Sequence, residues 1–353
     1  MELFENVERT ELSELGEFGL INLLTKNIEL TNKSTIKGVG DDAAVLDVDS
    51  KKILISTDIL TEGVHFDLAY TPLKHLGYKS VVVNLSDIAA MNGKPEQITV
   101  SLAVSNRFSV EALEELYEGI FMACKRYGVD LIGGDTTTSK SGLFISVTVV
   151  GKAAEEKITY RNGAKKGDLI CVSGDLGAAY IGLMILEREK RVFEVNSEIQ
   201  PDLDGFDYVL ERHLKPEPRL DIVEKLNNLA IVPNSMIDIS DGLASEIMHI
   251  CNQSKVGCRL FEDKIPIDIQ TEDTAKKFGL VPVTIALNGG EDYELLFTVP
   301  QEDFEKIKNI EEISIIGYIT DAAEGMSLIT KDEKVFELKA QGWDAWLKQE
   351  QRS

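Results

Sequence analysis

The chain has 353 residues, of which 43% are hydrophobic and 27% are charged, and its formal net charge at pH 7 is −23. This length accommodates two domains with separate cores, and the composition is that of an ordinary globular enzyme. So acidic a chain lacks the basic face that general nucleic-acid binding requires, and no nucleic-acid partner is expected. An anionic substrate would need metal ions, or a few Lys and Arg side chains, to offset the negative charge around it.

Hydrophobic spacing predicts helices and strands along the whole chain. In the first part, helices are predicted at 11–27, 73–90 and 110–127, and strands at 52–57, 97–104 and 143–150. In the second part, strands are predicted at 169–172, 235–239, 294–299 and 313–319, and helices at 178–187, 219–227 and 242–251. Segment 191–207 has weak periodicity and is predicted to be a surface insertion or a long loop.

These elements predict two domains, an N-terminal one at 1–151 and a C-terminal one at 152–353. Most predicted strands alternate apolar and polar residues and are not continuous Val/Ile runs. Such alternation favours an α+β fold with mixed or antiparallel sheets and helices packed on one side, and it argues against a doubly wound parallel sheet.

The cysteines and histidines show no zinc-binding pattern. Cys124, Cys171, Cys251 and Cys258 lie singly among apolar neighbours, which predicts buried free thiols in a reducing compartment. No apolar run reaches membrane-spanning length, and the acidic segment 1–11 does not resemble a signal peptide. We therefore expect a cytoplasmic protein with no membrane partner.

Aspartates recur beside Ser, Thr and Gly, mostly where a predicted strand or a glycine turn ends. The five motifs are Gly40-Asp41-Asp42, Ser56-Thr57-Asp58, Asn84-Leu85-Ser86-Asp87, Gly133-Gly134-Asp135 and Asp238-Ile239-Ser240-Asp241-Gly242. Carboxylate oxygens suit Mg²⁺, and Mg²⁺ in proteins commonly accompanies phosphates. No Walker A motif is present, so a nucleotide would have to be held by another route.

Each motif alone also has an ordinary structural explanation. The first fits a solvated turn, the second and fifth a helix or turn cap, and the fourth a hairpin. Asp87 differs because it lies in a strongly apolar predicted helix, where an unpaired carboxylate is costly to bury and needs a partner. Two unit charges about 4 Å apart interact by roughly 4 kcal/mol at an effective dielectric near 20. Aspartates that converge must therefore bind cations or take up protons, and spacing alone does not establish convergence.

A sixth acidic segment follows a glycine turn and precedes a predicted strand. It reads Asn288-Gly289-Gly290-Glu291-Asp292-Tyr293-Glu294. Its three carboxylates could hold a cationic or hydroxyl-rich substrate, or they could form an acidic hairpin loop.

In order from Gly16 to Trp346, these motifs together with Glu62-Gly63-Val64-His65-Phe66 resemble the thiamine-monophosphate kinases. The wider superfamily includes aminoimidazole ribonucleotide synthetase, selenophosphate synthetase and a hydrogenase maturation protein. The resemblance implies ATP-dependent phosphorylation of thiamine monophosphate to thiamine diphosphate. It also implies a site in the cleft between two domains and a homodimer formed through the N-terminal domains.

The resemblance further implies a set of site residues. The metal positions, for several Mg²⁺ ions, are Asp42, Ser56, Thr57, Asp58, Asp87, Asp135, Asp238 and Asp241. The nucleotide positions are Tyr117, Gly134, Asp135, Arg161 and Ser240. The thiamine-phosphate positions are His65, Glu291 and Trp343. Glu291 would meet either the cationic thiazolium or the aminopyrimidine, and Trp343 could stack on the ring.

An ionised phosphate oxygen of the substrate can attack ATP directly, so neither a covalent nucleophile nor a general base is expected. Many relatives carry an Arg shortly after Gly-Gly-Asp-Thr. This chain has Lys140 nearby instead, and Lys140 could take the role of that Arg.

Two other interpretations remain open. One is a different ATP-dependent enzyme of the superfamily, such as aminoimidazole ribonucleotide synthetase. A selenophosphate synthetase would need an early reactive Cys, whereas the first Cys here is Cys124, and the hydrogenase protein would need a C-terminal Cys, which this sequence lacks. The other is a non-catalytic acidic module that binds Ca²⁺ or Mg²⁺ without consuming ATP.

Overall fold

The structure is a computed structural model that describes residues 35–37, 40–48 and 51–340. The helix predicted at 11–27 and the predicted substrate residue Trp343 lie outside these residues. Within them, no helix is both long enough and apolar enough to cross a membrane.

The first of two sheets is built from residues in the N-terminal part of the chain. Its six strands are β1 (Thr35–Lys37), β2 (Ala44–Val48), β3 (Lys51–Thr61), β4 (Lys94–Val104), β5 (Asp130–Thr138) and β6 (Leu143–Ala153), in the order β1-β2-β3-β6-β4-β5. All pairs are antiparallel except β4 with β5. Two helices, α1 (Leu73–Ala90) and α2 (Val110–Tyr127), contribute to the same hydrophobic core as the sheet.

The second sheet has seven strands. They are β7 (Leu169–Ser173), β8 (Ser235–Asp238), β9 (Val256–Phe261), β10 (Leu295–Val299), β11 (Ile313–Asp321), β12 (Met326–Ile329) and β13 (Val335–Glu337), in the order β13-β12-β9-β11-β7-β10-β8. Only β9 with β12 is parallel. The helices of this part are α3 (Ala178–Val195), α4 (Asp207–Leu214), α5 (Leu220–Asn228), α6 (Leu243–Ser254), α7 (Ile269–Lys277), α8 (Pro282–Asn288) and α9 (Phe304–Ile307).

The predicted α+β fold with mixed sheets is confirmed, while several predicted boundaries are wrong. Strand β3 continues to Thr61, so Asp58 lies within a strand and not at its end. Strand β5 runs through Gly133 and Gly134, which rules out a hairpin there because β5 stays paired with β4 along that stretch. Helix α3 continues to Val195, so the predicted insertion begins later than residue 191.

Helix α1 is the element that joins the two parts of the molecule. Fourteen of its 18 residues are buried. It contacts α2, β3, β4 and β6 on one side and β8, α4 and α5 on the other. A helix surrounded in this way is hydrophobic around most of its circumference, which is why its sequence is apolar and has no polar face. The buried polar residues of α1 therefore require specific partners.

Two glycines set the distance between α1 and α2. A Cβ atom added to Gly77 of α1 would lie 1.9 Å from the carbonyl oxygen of Leu116. A Cβ atom added to Gly119 of α2 would lie 1.9 Å from the carbonyl oxygen of Lys74. The backbones of the two helices therefore approach so closely that only glycine fits at these two positions.

We predict that Gly119→Ala lowers the free energy of unfolding by about 2 kcal/mol or more, measured by urea denaturation, because α1 and α2 must separate. Alanine normally stabilises a helix interior by roughly 1 kcal/mol relative to glycine, so the clash must outweigh that gain. Gly133→Ala is the control, since no atom lies within 4 Å of its added Cβ. Equal unfolding free energies for Gly119→Ala and the unmodified chain would contradict the close approach.

Candidate functional site

Three carboxylates from distant parts of the chain converge where the two sheets meet. One oxygen from each of Asp42, Asp87 and Asp238 lies within 4.8 Å of the others. Asp42 lies two residues before β2, Asp87 is in the last turn of α1, and Asp238 ends β8. We call these three residues the acidic cluster. The backbone geometry of both domains and of α1 is needed to form it.

Serine hydroxyls orient two of the three carboxylates. Ser56 Oγ donates to Asp87 Oδ2 at 2.6 Å, and Ser86 Oγ donates to Asp238 Oδ2 at 2.6 Å. The second bond links α1 directly to the second sheet. Ser56, a predicted metal position, therefore contacts the acidic cluster through Asp87.

Asp58 lies on β3 next to the cluster, on the same face as Ser56. Its backbone N–H donates to Asn84 Oδ1 of α1 at 3.0 Å. Burial raises the pKa of Asp58 to about 6 and that of Asp238 to about 7. Burial, followed by the charges of Asp58 and Asp238, raises the pKa of Asp87 well above its usual value. These carboxylates therefore destabilise one another when they are all ionised, and a divalent cation among them would relieve the repulsion.

One guanidinium offsets part of this negative charge. Arg161 Nε donates to Asp42 Oδ2 at 2.7 Å, and Arg161 Nη2 donates to Asp42 Oδ1 at 2.6 Å, which is a bidentate pair. Arg161, a predicted nucleotide position, thus lies at the acidic cluster. One positive charge facing four carboxylates leaves an excess of negative charge, and buried oxygen donors with such an excess fit Mg²⁺.

Three other predicted metal positions are placed differently. Thr57 alternates to the opposite face of β3, where its hydroxyl donates to the Val147 carbonyl oxygen at 3.0 Å. Asp135 is exposed on β5, which is separated from β3 by three strand spacings, or about 14 Å. Asp241 follows β8, and its backbone N–H donates to Glu246 Oε1 at 3.0 Å. The structure therefore brings together only part of the predicted metal set.

The predicted nucleotide residues fall in two places. Tyr117, Gly134 and Asp135 line one open groove beside β5, with a volume of about 460 Å³. Arg161 is paired with the acidic cluster, and Ser240 lies in the turn after β8. A nucleotide that contacted both sets would extend from the groove to the cluster.

The predicted substrate residues His65 and Glu291 lie close enough to interact electrostatically. His65 is in the turn after β3, where its Nδ1 accepts a hydrogen bond from the backbone N–H of Thr61 at 3.0 Å. Burial lowers the pKa of His65, while the negative charge of Glu291 acts to raise it. Glu291 itself lies between Lys79 of α1, at 2.9 Å, and His213 of α4, at 3.2 Å.

The loop that carries Glu291 is attached to the loop that follows the acidic cluster. The backbone N–H groups of Glu291 and Tyr293 donate to the carbonyl oxygens of Ser240 and Ile239 at 2.7 and 2.9 Å. Glu291 and Tyr293 have φ values of 66° and 52°, which non-glycine residues rarely adopt and which tend to occur at functional sites. The positions of the loop at 289–294 and of the loop at 239–242 are therefore coupled.

Sequence reasoning missed Lys79, His213 and Tyr293 as parts of this site. Burial raises the pKa of Tyr293, and the charges of Glu291 and Asp58 raise it further. The sequence contained one signal for Lys79, because a lysine inside an apolar helical run needs a buried partner. Nothing local to His213 or Tyr293 indicated their neighbours.

Comparisons with known proteins define the class of protein that has this fold and site. The family described as AIR synthase related protein matches through its N-terminal domain at residues 40–153 and through its C-terminal domain at residues 165–328. This chain therefore has the two domains of that family, one of which supplies Asp42 and Asp87 and the other Asp238.

Individual relatives that match over most of this chain are named thiamine-monophosphate kinase. The thiamine-monophosphate kinase of Buchnera aphidicola subsp. Schizaphis graminum is 39% identical, over 91% of this chain and 96% of that protein. The enzyme of Aquifex aeolicus is 36% identical, over 94% and 98%. A solved structure described as AaThiL complexed with AMPPCP and TMP has a TM-score of 0.82 and 34% identity, and the match covers 96% of this chain and 99% of that one. The chain belongs to the thiamine-monophosphate kinase family.

The raised carboxyl pKa values predict how stability depends on pH when divalent cations are removed with EDTA. Unfolded aspartates ionise near pH 4, whereas Asp58 and Asp238 in the folded protein ionise at about 6 and about 7. Between about pH 4 and 7 the folded state therefore binds more protons than the unfolded state. As pH rises through this range, the free energy of unfolding falls by about 2 kcal/mol or more.

Urea denaturation at pH 5 and pH 8 tests this dependence. Asp238→Asn should reduce the loss of stability, and 10 mM Mg²⁺ should restore stability at pH 8 more than at pH 5 because it binds the ionised carboxylates. Asp273→Asn, at an exposed position on α7, is the control and should leave the pH dependence unchanged. Stability that rises between pH 5 and pH 8 in EDTA would contradict the electrostatic description of the cluster.

Proposed function

We propose that this protein transfers the γ-phosphoryl group of ATP to the phosphate of thiamine monophosphate, giving thiamine diphosphate and ADP. One observation carries the proposal: an acidic cluster suited to Mg²⁺ lies next to the Glu291 loop, in a chain of the thiamine-monophosphate kinase family. The related AaThiL structure holds AMPPCP, an ATP analogue, together with TMP. Both ligands correspond to the two substrates proposed here.

The acidic cluster, with Asp58 beside it, would hold Mg²⁺ in this proposal. Three oxygens within 4.8 Å of one another, two of them from buried residues, fit a hard cation that prefers carboxylate ligands. Mg²⁺ held there would offset the negative charge on the transferring phosphoryl group. The hydroxyls of Ser56 and Ser86 fix the orientation of the carboxylates beforehand, which reduces reorganisation on binding.

The remaining residues act by binding and orientation. Tyr117 and Gly134 line a groove that would take the nucleotide. Arg161, paired with Asp42, would meet its phosphates. His65 and Glu291 hold the organic part of the substrate. Its phosphate is already ionised at neutral pH, so an oxygen of that phosphate attacks without a general base. The hydrogen bonds between the loops at 289–294 and 239–242 would keep the substrate phosphate and the γ-phosphoryl group at a constant spacing.

The direct test incubates the purified chain with ATP and Mg²⁺, with and without thiamine monophosphate, and quantifies thiamine diphosphate and ADP. We expect equal amounts of both products, formed only when thiamine monophosphate is present. ADP formation that does not depend on thiamine monophosphate would favour another enzyme of the superfamily. Magnesium binding without any ATP consumption would favour a cation-binding module.

A single substitution tests the acidic cluster. We predict that Asp87→Asn lowers kcat by about 10³-fold or more, because removing one charged ligand weakens stabilisation of the transferring group. Asp47→Asn is a matched control on β2, where the carboxylate is half-exposed and pairs with Lys52. Circular dichroism and thermal unfolding establish that both variants are folded. A folded Asp87→Asn variant with near-normal kcat would remove Asp87 from the metal site.

We also propose a homodimer formed through the N-terminal domains. Among the described strands, β5 has a partner on one edge only, and Ile132 on it is 62% exposed. The same domain exposes Ile59 and Phe121. An unpaired strand edge that carries an exposed apolar side chain, in a domain with further exposed apolar residues, is typical of a surface that another chain covers.

We predict that Ile132→Lys converts the dimer to a monomer, because a charged side chain would have to be desolvated at the interface. Size-exclusion chromatography with light scattering measures the mass, which should be twice the subunit mass for the unmodified chain. Val335→Lys, on exposed β13 of the other sheet, is the control and should remain dimeric. A monomeric unmodified chain would reject the proposed assembly.

The proposed location is the cytoplasm. All four cysteines are buried and free in the structure. Free thiols persist in a reducing compartment, which supports this location.

A further inference from the structure

Lys79 is a charged side chain in the interior of α1 and is only 4% exposed. Its Nζ lies 2.9 Å from Glu291 Oε1 and donates to the carbonyl oxygen of His213 at 3.1 Å. A lysine on a helix usually extends its ammonium group into water. A buried ammonium is tolerated only where partners replace the lost hydration, and here both partners belong to the second domain.

Glu291 is fixed from two directions. Lys79 lies at Oε1, and His213 Nδ1 lies 3.2 Å from Oε2. Burial alone would raise the pKa of Glu291, but the charge of Lys79 and the contact with His213 hold it well below its usual range. Glu291 is therefore ionised throughout the physiological range and has little freedom to rotate.

The pairing changes what Glu291 can offer to a substrate. A carboxylate paired at 2.9 Å with an ammonium forms a unit with no net charge, so its attraction for a distant cation is small. The carboxylate oxygens still have lone pairs that accept hydrogen bonds. A substrate N–H group is therefore a better partner for this oxygen pair than a ring that carries only positive charge.

We propose that Lys79 is a positioning residue that acts through Glu291, and that the pair recognises a hydrogen-bond donor on the substrate ring and not its positive charge. On thiamine monophosphate that donor is the amino group of the aminopyrimidine. This inference rests on the proposed function and decides between the two ring contacts that the sequence left open.

The first test is a double-mutant cycle of Lys79→Met, Glu291→Gln and the double variant. We expect Lys79→Met to raise KM for thiamine monophosphate about tenfold or more, with KM for ATP unchanged, because only the substrate ring loses an oriented partner. If Lys79 acts only through Glu291, the double variant has the same KM as Glu291→Gln and not the product of the two effects. Lys74→Met, a surface position on the same helix paired with Glu118, is the control and should leave both KM values unchanged.

The second test replaces the donor on the substrate. Oxythiamine monophosphate keeps the thiazolium charge and the phosphate but has an oxo group in place of the amino group. We expect the unmodified enzyme to use it at least 100-fold less efficiently, in kcat/KM, than thiamine monophosphate, since the carboxylate then faces an acceptor. Glu291→Gln should reduce this discrimination because the amide can donate to the oxo group. Equal discrimination by both proteins would overturn recognition of the donor.

The outcomes separate this inference from the proposed function. Unchanged KM for thiamine monophosphate in Glu291→Gln would remove Glu291 from the substrate site, and the inference with it. A raised KM in Glu291→Gln together with an unchanged KM in Lys79→Met, or multiplicative effects in the double variant, would overturn the role of Lys79 alone. If Lys79→Met does not fold, Lys79→Gln keeps a buried donor without the charge and is measured in the same cycle. A normal KM for ATP shows that the variant retains its fold.

Discussion

Repulsion among converging carboxylates is the constraint on which this structure depends. Asp42, Asp87 and Asp238 are held within a few ångströms of one another, where each pair of charges costs roughly 4 kcal/mol at an effective dielectric near 20. A chain folds into such an arrangement only if packing elsewhere outweighs the repulsion. The buried helix α1, the serine hydroxyls and the bidentate Arg161 supply that support. A divalent cation among these carboxylates would relieve the same repulsion.

Helix α1 connects the two halves of the candidate site. Lys79 and Asp87 are eight residues apart, which places them about 12 Å apart along one rigid helix. Lys79 contacts the Glu291 carboxylate, and Asp87 belongs to the acidic cluster. A rigid element between two binding subsites holds their separation constant more accurately than loops would. This explains why α1 is buried on nearly every side and approaches α2 at glycines.

Local sequence patterns predicted secondary structure well where one hydrophobic period continues along a whole helix. The helices at 73–90 and 110–127 have the predicted bounds, because their apolar residues recur with helical spacing over five turns. At β5 the alternative of a hairpin at Gly133 and Gly134 is wrong. Pairing with β4 keeps these glycines extended, and glycine permits either conformation. Helix α3 extended past its prediction because 188–195 contains no Gly or Pro to end it.

The sequence by itself determined which chemical groups are available: aspartates beside serines and glycines, a helix that carries Lys79 within an apolar run, and an ordered set of motifs that identifies the family. Only the tertiary structure decided which groups meet. It joined Asp42, Asp87 and Asp238, left Asp135 at the exposed edge of the sheet, and paired Lys79 with Glu291. The physical reason is that local periodicity records how a residue faces its own helix or strand. Contacts between residues far apart in the chain arise from strand order and from the packing of one domain against another.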